Sequence, residues 1–246
     1  MTSTMLTVLS PHYDDAAFSL ALTLGALLRT GTRVQLVNVH TRSRYAPLAP
    51  DVSGQDAVSA LRAQEDRTFR ALHGEGLTVV DLDRGDALER PGYVDEQDYL
   101  HEGPLTPTEE AEVARLTDAL KDIEPGAALL LPMAFGGHID HRITRAAAEA
   151  RWPSLPRAYF EDLPYSLAGH DERAFRSALG QLDVTPHVFE VPTADLHSKY
   201  QAVMTYRSQI TPSVALKLLE RAQAYGTGER LWADAPFLAW LRTVRT

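Results

Sequence analysis

The sequence contains no cysteine among its 246 residues. This absence excludes disulfides and thiolate metal ligands, so any bound metal ion has to be held by His, Asp and Glu. Basic residues are scarce as well, because 24 Lys and Arg stand against 33 Asp and Glu, for a formal net charge of −9. Without a basic stripe, the composition speaks against nucleic acid and an anionic membrane surface as partners.

Long apolar runs are also missing. No stretch approaches the roughly 18 uncharged apolar residues of a membrane span, and no basic region followed by an apolar one opens the chain. We therefore expect neither a signal peptide nor a transmembrane helix, and hence a cytoplasmic protein. Hydrophobic residues make up 44% and charged residues 23%, as in ordinary globular proteins. The length suits one large α/β domain.

Strands alternate with helices in the first two thirds of the chain. Short apolar runs predict strands at 5–9, 34–40, 77–82 and 128–132. Longer runs rich in helix formers predict helices at 16–28, 56–74 and 106–123, and residues 136–151 predict a loop leading into a helix. This alternation favours a mostly parallel, Rossmann-like sheet with helices on both faces.

The last third predicts further elements of the same domain. They are a strand within 157–165, a strand at 187–192 and helices around 195–206 and 212–225. We expect a single domain spanning 1–246, with a core of about 1–165 and a C-terminal extension of about 166–246 that walls part of a pocket. The polar loops 42–54 and 84–105 are rich in Pro and Gly, and the second is expected to be a mobile loop on the substrate side.

Two clusters of polar residues follow predicted strands. The stretch "TVLSPHYDDAAFSLA" (7–21) places His12, Asp14 and Asp15 after the first strand. The stretch "HIDH" places His138 and His141 after the strand 128–132, with an aspartate between them. In parallel sheets such residues meet at the edge formed by the carboxyl ends of the strands.

The combined set is typical of a metal site. Two His and one carboxylate, with one position left for water, form a ligand set that zinc accepts in the absence of cysteine. A neighbouring carboxylate could then take a proton from that water. Each cluster alone also has a purely structural interpretation, because Asp14 or Asp15 could simply cap a helix and "HIDHR" could be a solvated helix start.

Four segments together resemble one family, the PIG-L/LmbE-like zinc deacetylases (carbohydrate esterase family 14). "SPHYDDAAFSLA" is similar to the signature S-P-H-x-D-D, and "PMAFGGHIDHRI" to the second motif, P-…-H-x-D-H-R. "LRAQEDRTFRALHG" resembles the R-x-x-E segment, and "HSKYQAVMTYRSQI" the late segment ending in S-Q. The similarity covers most of residues 5–210 in the family's order.

The resemblance implies roles for particular residues. His12, Asp15 and His141 match the family's metal ligands, and Asp14 matches the general base. His138 matches the histidine that stabilises the tetrahedral intermediate and can protonate the leaving amine.

Two further positions carry weaker implications. Asp140 stands where the family has a residue that orients a metal ligand. Arg62 matches a substrate-contacting arginine, although an ion pair with Glu65, three positions on, is an equal alternative.

Some positions depart from the family pattern or remain unassigned. Tyr13 replaces the usual Pro and Ala16 the frequent Glu, which leaves the chemistry intact but puts the substrate in doubt. His40 ends the second strand and is either a substrate contact or, more in keeping with the pattern, a strand-end residue. The remaining histidines without partners at ligand spacing are interpreted as surface or structural residues: His170, His187 and His197.

The family's activity implies hydrolysis of an amide. We expect removal of an N-acetyl or similar N-acyl group from an amino sugar or related natural-product intermediate, with zinc as cofactor, although ferrous iron accepts the same ligands. One alternative is a different small-molecule amide, such as a thiol conjugate. Another is a non-catalytic nucleotide-binding Rossmann module, but "SPHYDDA" has no glycine where phosphates would approach. A small-molecule N-acylated substrate is the expected partner, and a homo-oligomer is compatible with the sequence.

Overall fold

The computed structural model describes residues 5–167, 172–180 and 182–244. Within them, seven strands form one sheet in the order β3-β2-β1-β4-β5-β7-β6. The strands are β1 (Met5–Ser10), β2 (Arg33–Asn38), β3 (Leu77–Asp81), β4 (Ala128–Pro132), β5 (Arg157–Phe160), β6 (Thr185–Glu190) and β7 (Gly228–Ala233). The helices are α1 (Asp15–Arg29), α2 (Gln55–Ala71), α3 (Glu96–Tyr99), α4 (Pro107–Ala119), α5 (Ile139–Arg151), α6 (Glu172–Leu179), α7 (Asp195–Val203), α8 (Pro212–Ala224) and α9 (Ala235–Val244).

Strands β1 to β5 are parallel to one another. Strand β7 runs antiparallel to both of its neighbours, β5 and β6. The predicted mostly parallel α/β sheet is confirmed, and its β3-β2-β1-β4-β5 portion follows the Rossmann strand order. Strands β6 and β7 extend this sheet, so the chain beyond 165 belongs to the same layer; the boundary at 165 stays a prediction.

The central strands are buried on both faces, which explains their continuous apolar runs. Val8 and Leu130 pack into one core with α1, while Leu9 and Leu129 point into a second core on the opposite face. The first core also contains apolar side chains of α7, α8 and α9, and the second those of α4, α5 and α6. Helices therefore cover both faces, as the sequence predicts.

Strand β7 and helices α6 and α9 were not predicted. Glu229 and Arg230 make the sequence of β7 resemble that of a polar turn. In the fold, each of these side chains is paired with an opposite charge. Lys199 Nζ donates to Glu229 Oε1 at 2.5 Å, and Arg230 Nε donates to Glu161. Paired charges of this kind are how buried strands tolerate ionised residues. No helix in the described ranges is long and apolar enough to span a membrane.

The "QEDR" segment of α2 docks on the chain that follows α7. Glu65 accepts hydrogen bonds from the backbone N–H and the hydroxyl of Ser208 at 2.8 and 2.6 Å. Asp66 accepts one from the Tyr206 hydroxyl at 3.1 Å. These bonds join two segments that the sequence analysis found separately.

Asp66 makes the stability of this contact depend on pH. Burial, aided by the charge of Asp81, raises the pKa of Asp66 to about 7, whereas an unfolded chain ionises an aspartate near pH 4, roughly. The folded state therefore loses stability as the pH rises from about 4 to 7. We expect Asp66→Asn to stabilise the protein, by up to about 4 kcal/mol at pH 8 and less at pH 5. Urea denaturation at the two pH values measures this, and an equal effect at both would contradict it.

Candidate active site

A cavity of about 240 Å³ lies at the carboxyl-end edge of the sheet. Residues that follow β1, β4 and β5 line it, because the carboxyl ends of parallel strands point the same way. Its lining includes His12, Asp14, Asp15, His138 and Asp140. The two polar clusters of the sequence thus come together, although their members lie more than 120 positions apart.

The turn after β1 is held by its own side chains. The Ser10 hydroxyl donates to the His12 carbonyl at 2.6 Å and accepts from the Ala16 N–H at 3.2 Å. The His12 N–H donates to Asp15 Oδ2 at 2.8 Å. Because these hydrogen bonds close the turn locally, the imidazole of His12 and the carboxylate of Asp15 are held next to each other.

Three ligand atoms, one each from His12, Asp15 and His141, lie within 4.8 Å of one another. His12 Nδ1 is 3.2 Å from Asp15 Oδ2, and His141 Nε2 is 3.4 Å from Asp15 Oδ1. His141 is fully buried, and its Nε2 has no hydrogen-bond partner in the part of the chain described. An unpaired buried nitrogen facing a carboxylate suggests a metal site.

Two aspartates set the orientation of these imidazoles. His141 Nδ1 donates to Asp162 Oδ1 at 2.6 Å, and His12 Nε2 donates to Asp140 Oδ2 at 2.9 Å. In their neutral forms both rings therefore turn an unprotonated nitrogen towards Asp15. Converging acceptors without a donor between them fit a cation, and carboxylate-held histidines are usual around metal ions.

A second group of candidate ligand atoms comes from His12, His138 and Asp140. Asp140 is already occupied by donors, because Oδ2 accepts from the Ala87 N–H at 2.9 Å and Oδ1 accepts from Arg90. With a guanidinium on this carboxylate, a second cation would be repelled. We therefore interpret Asp140 as an anchor for His12.

The charges around the site favour a cation at its centre. Burial lowers the pKa of His12, but the carboxylates of Asp140 and Asp15 outweigh burial and raise it to about 10. The pKa of His141 is raised despite burial by Asp15 and Asp162. The pKa of Asp15 is held well below its usual range, against burial, by the two imidazoles. The potential that favours a proton here equally favours a metal ion.

Asp14 occupies the N-cap position of α1, yet its side chain makes no capping bond. Asp14 Oδ1 instead accepts from Arg62 Nη2 at 2.9 Å. Arg62 also donates to the Ser43 hydroxyl at 3.2 Å. Arg62 lies in the cavity wall but pairs with Asp14, and Glu65 bonds to Ser208, so the alternative ion pair between Arg62 and Glu65 is wrong.

His138 and two tyrosines form the facing wall. His138 Nδ1 accepts from the Asp140 N–H at 3.2 Å, which leaves Nε2 to carry the ring proton of the neutral form. The ring of Tyr99 lies 4.8 Å from that of His138, and the ring of Tyr165 lies 5.8 Å from it. Burial and the charges of Asp15 and Asp14 raise the pKa of Tyr165 well above 10.

The other histidines lie outside this arrangement. His40 is buried behind Asp140, with Nδ1 donating to the Gly85 carbonyl at 2.9 Å and Nε2 3.7 Å from Asp140 Oδ1. It does not line the cavity. His197 is exposed on α7 and His187 lies on β6, neither in a metal-type cluster, while His170 lies outside the described residues.

The segment 84–105 lines part of the cavity and has little regular structure, and its mobility stays a prediction. Its only helices are one turn at Ala87–Glu89 and the short α3. Asp86, Ala87 and Tyr99 are buried against the site, whereas Val94 is 83% exposed. The segment is thus a packed wall with an exposed tip. Among the described residues of the C-terminal extension, Gln209 alone lines the cavity.

Four contributors to the site were missed in the sequence: Asp86, Arg90, Asp162 and Tyr165. Asp162 and Tyr165 follow β5 in "FEDLPY", at the same edge as the other clusters. Their position after a predicted strand was a usable signal. Asp86 and Arg90 lie in an irregular segment, where no periodicity marks them.

A larger cavity of about 580 Å³ lies beyond the turn 134–137. Its wall includes Arg142, which donates to the carbonyls of His101 and Gly103, and Arg145, which donates to that of Met133. These backbone bonds give both arginines a structural role, and neither candidate metal cluster of the described chain contributes to this cavity.

Comparison with known proteins places the chain among deacetylases. Residues 7–152 match the family described as PIG-L: GlcNAc-PI de-N-acetylase. A 2'-N-acetylparomamine deacetylase from Streptomyces fradiae is 30% identical over 226 residues, which cover 88% of this chain and 77% of the relative. The family match includes both polar clusters of the site.

Solved structures share the fold. The zinc inhibited form of a teicoplanin deacetylase superposes with a TM-score of 0.72 at 23% identity, covering 93% of this chain and 97% of that one. A deacetylase-teicoplanin complex gives 0.74 at 22% identity, with the same coverage. At these identities the likeness establishes the α/β architecture, and the site is argued from its own residues.

Proposed function

This chain belongs to the PIG-L family of de-N-acetylases, and on that premise we propose that it removes an N-acetyl group from an amino sugar of a small natural-product intermediate by metal-dependent hydrolysis. The observation that carries the proposal is the unpaired Nε2 of His141 facing Asp15 and His12 at the floor of a cavity. The family match supports the reaction type, and the Streptomyces relative, named for an acetylated amino sugar, supports the substrate class.

The proposed metal ligands are His12, Asp15 and His141. Two imidazoles and a carboxylate suit zinc, and they also suit ferrous iron. When bound, such an ion supplies Lewis acidity that polarises an acyl oxygen and acidifies water. Asp140 and Asp162 hold the two imidazoles in the tautomers that this role requires.

Asp14 is the proposed general base. It lies one residue before Asp15 at the cavity wall, and only one of its oxygens is occupied by Arg62. A carboxylate at this place can accept the proton of an attacking water and pass it towards the leaving nitrogen. Arg62 keeps this carboxylate oriented.

His138 is the proposed donor to the acyl oxygen. Its Nδ1 is occupied by a backbone N–H, so the proton of Nε2 is available to the cavity. Donors of this kind stabilise the negative charge that develops as water adds to the amide carbon. The same N–H can later approach the departing amine.

Asp86 gives the cavity a preference for polar, amine-bearing rings. It is buried in the cavity wall, and its Oδ1 has no hydrogen-bond partner within the described ranges. Burial raises the pKa of this carboxyl. A substrate hydroxyl or ammonium group would supply the missing donor, as an amino sugar does.

The proposal predicts acetate release that depends on a metal ion. The purified protein should release acetate from 2'-N-acetylparomamine or N-acetylglucosamine, lose this activity after dialysis against a chelator, and regain it with zinc or ferrous iron. Parallel reloading with each ion identifies the effective one. Stoichiometric metal without acetate release from any N-acetylated amino sugar would contradict the substrate class, and activity unaffected by the chelator would contradict the metal.

A further inference from the structure

The backbone around Tyr165, in the turn that follows β5, is held by hydrogen bonds. The Ser166 N–H donates to the Asp162 carbonyl at 3.0 Å, and the Leu167 N–H donates to the Pro164 carbonyl at 2.9 Å. Asp162 itself is fixed by His141 and by the Phe135 N–H. The tyrosine is thus tied to the frame that orients a proposed metal ligand.

The absence of a side chain on Gly136 makes room for Tyr165. A Cβ atom on this glycine would lie 2.9 Å from Tyr165 Cβ and 3.3 Å from its Cγ. Gly136 also has a φ of +83°, which residues with a side chain rarely adopt. Only glycine lets the turn before α5 approach the tyrosine ring this closely.

The ring of Tyr165 lies against both histidines of the "HIDH" motif. Its centroid is 5.6 Å from the ring of His141, at an interplanar angle of 90°, and 5.8 Å from that of His138. Tyr165 lines the cavity together with Asp14 and Asp15. Across residues 5–167, 172–180 and 182–244, its hydroxyl forms no hydrogen bond.

A tyrosine hydroxyl this close to a reaction centre normally has a partner. Here the neighbouring His138 offers a ring N–H to the same cavity. Two donors on adjacent walls are the arrangement that stabilises an oxygen on which negative charge develops. A phenol with an ordinary pKa of about 10 stays protonated at neutral pH and can donate.

We propose that Tyr165 is a further catalytic residue, whose hydroxyl donates a hydrogen bond to the substrate's acyl oxygen alongside His138 Nε2. The bond strengthens as water adds to the amide carbon and the acyl oxygen becomes negative, and no proton is transferred. Tyr165 is part of the wall that the acyl group contacts. This assignment rests on the proposed function, because it presumes an amide substrate in the cavity.

The alternative is that Tyr165 only packs against Gly136 and the histidines. Tyr165→Phe separates the two roles, since it keeps the ring and removes the hydroxyl alone. We expect kcat to fall by roughly 10²-fold, the effect of losing one such donor, with KM changed by less than about threefold. Metal content, measured by elemental analysis, should stay at the parent's level.

A binding measurement gives a readout independent of turnover. The methylphosphonamidate of glucosamine mimics the tetrahedral intermediate, whereas glucosamine lacks the acyl oxygen. By calorimetry, Tyr165→Phe should bind the phosphonamidate roughly 10²-fold more weakly than the parent, and glucosamine equally well. Tyr225→Phe is the matched control, because its hydroxyl bonds to Glu161 outside the cavity, and both its turnover and its binding should match the parent.

The outcomes separate this inference from the function on which it rests. If the parent hydrolyses N-acetylated amino sugars and Tyr165→Phe matches it in kcat and phosphonamidate affinity, the hydroxyl has no catalytic role and the inference is wrong. If the parent neither hydrolyses such amides nor binds the phosphonamidate, the proposed function fails first. Should the Phe variant lose metal, the hydroxyl supports the metal site and not the acyl oxygen, and the assignment is again wrong.

Discussion

Asp14→Asn should retain its metal and lose nearly all turnover. The amide can still accept the hydrogen bond from Arg62 Nη2, so the cavity wall should keep its shape. It cannot accept a proton, and loss of a general base lowers kcat by roughly 10²–10⁴-fold. Steady-state acetate release by the metal-loaded variant measures this loss. His12, Asp15 and His141 are untouched, so elemental analysis should give the parent's metal content.

The same substitution tests the alternative that Asp14 has only a structural role, as a helix cap. Asn caps helices about as well as Asp, so a capping role predicts normal turnover. Asp118→Asn is a suitable control, because this carboxylate is exposed on α4 and bonds to Lys121, away from the cavity. Near-normal turnover of Asp14→Asn would remove Asp14 from the mechanism and leave His138 as the next candidate base.

The proposed metal ligands were recognisable in the sequence because the resemblance to the family's motifs selects them and the predicted topology brings them together. His12 and Asp15 follow a strand in one short turn, and His141 opens a helix after another strand. The rule that parallel strands end at one edge then brings them together without any knowledge of contacts. The topology therefore carries the inference across 126 positions, from Asp15 to His141.

The partners of those ligands could not be found in this way. Asp162 is identified only by its contact with His141, and Arg90 only by its contact with Asp140. An aspartate after a strand or an arginine in a polar loop has no distinguishing local pattern. The same holds for Arg62, whose nearest partner in sequence is Glu65 but whose partner in the fold is Asp14.

Strand β7 was missed for a different reason, because its charged residues made the segment look like a turn. Glu229 is nearly buried because Lys199 and two backbone N–H groups of α1, those of Leu22 and Thr23, bond to it. From the sequence alone, the cost of burying such a carboxylate argues against a strand. Only the three-dimensional arrangement supplies the donors that offset this cost.

Asp15→Ala should abolish stoichiometric metal binding, while Asp162→Asn should only weaken it. Asp15 faces both imidazoles, so its removal takes away one of three proposed ligands and the negative charge that favours a cation. Asp162 contacts His141 alone among these ligands, and a substitution that disturbs such an orienting partner weakens metal affinity by roughly 10–100-fold. In Asp162→Asn, the amide cannot accept from both His141 Nδ1 and the Phe135 N–H, because one of its two polar atoms is itself a donor.

Metal content after dialysis against graded concentrations of a competing chelator distinguishes complete from partial loss. Asp14→Ala serves as the neighbouring control and should keep its metal. Full metal in Asp15→Ala together with loss in Asp14→Ala would exchange the roles of the two aspartates.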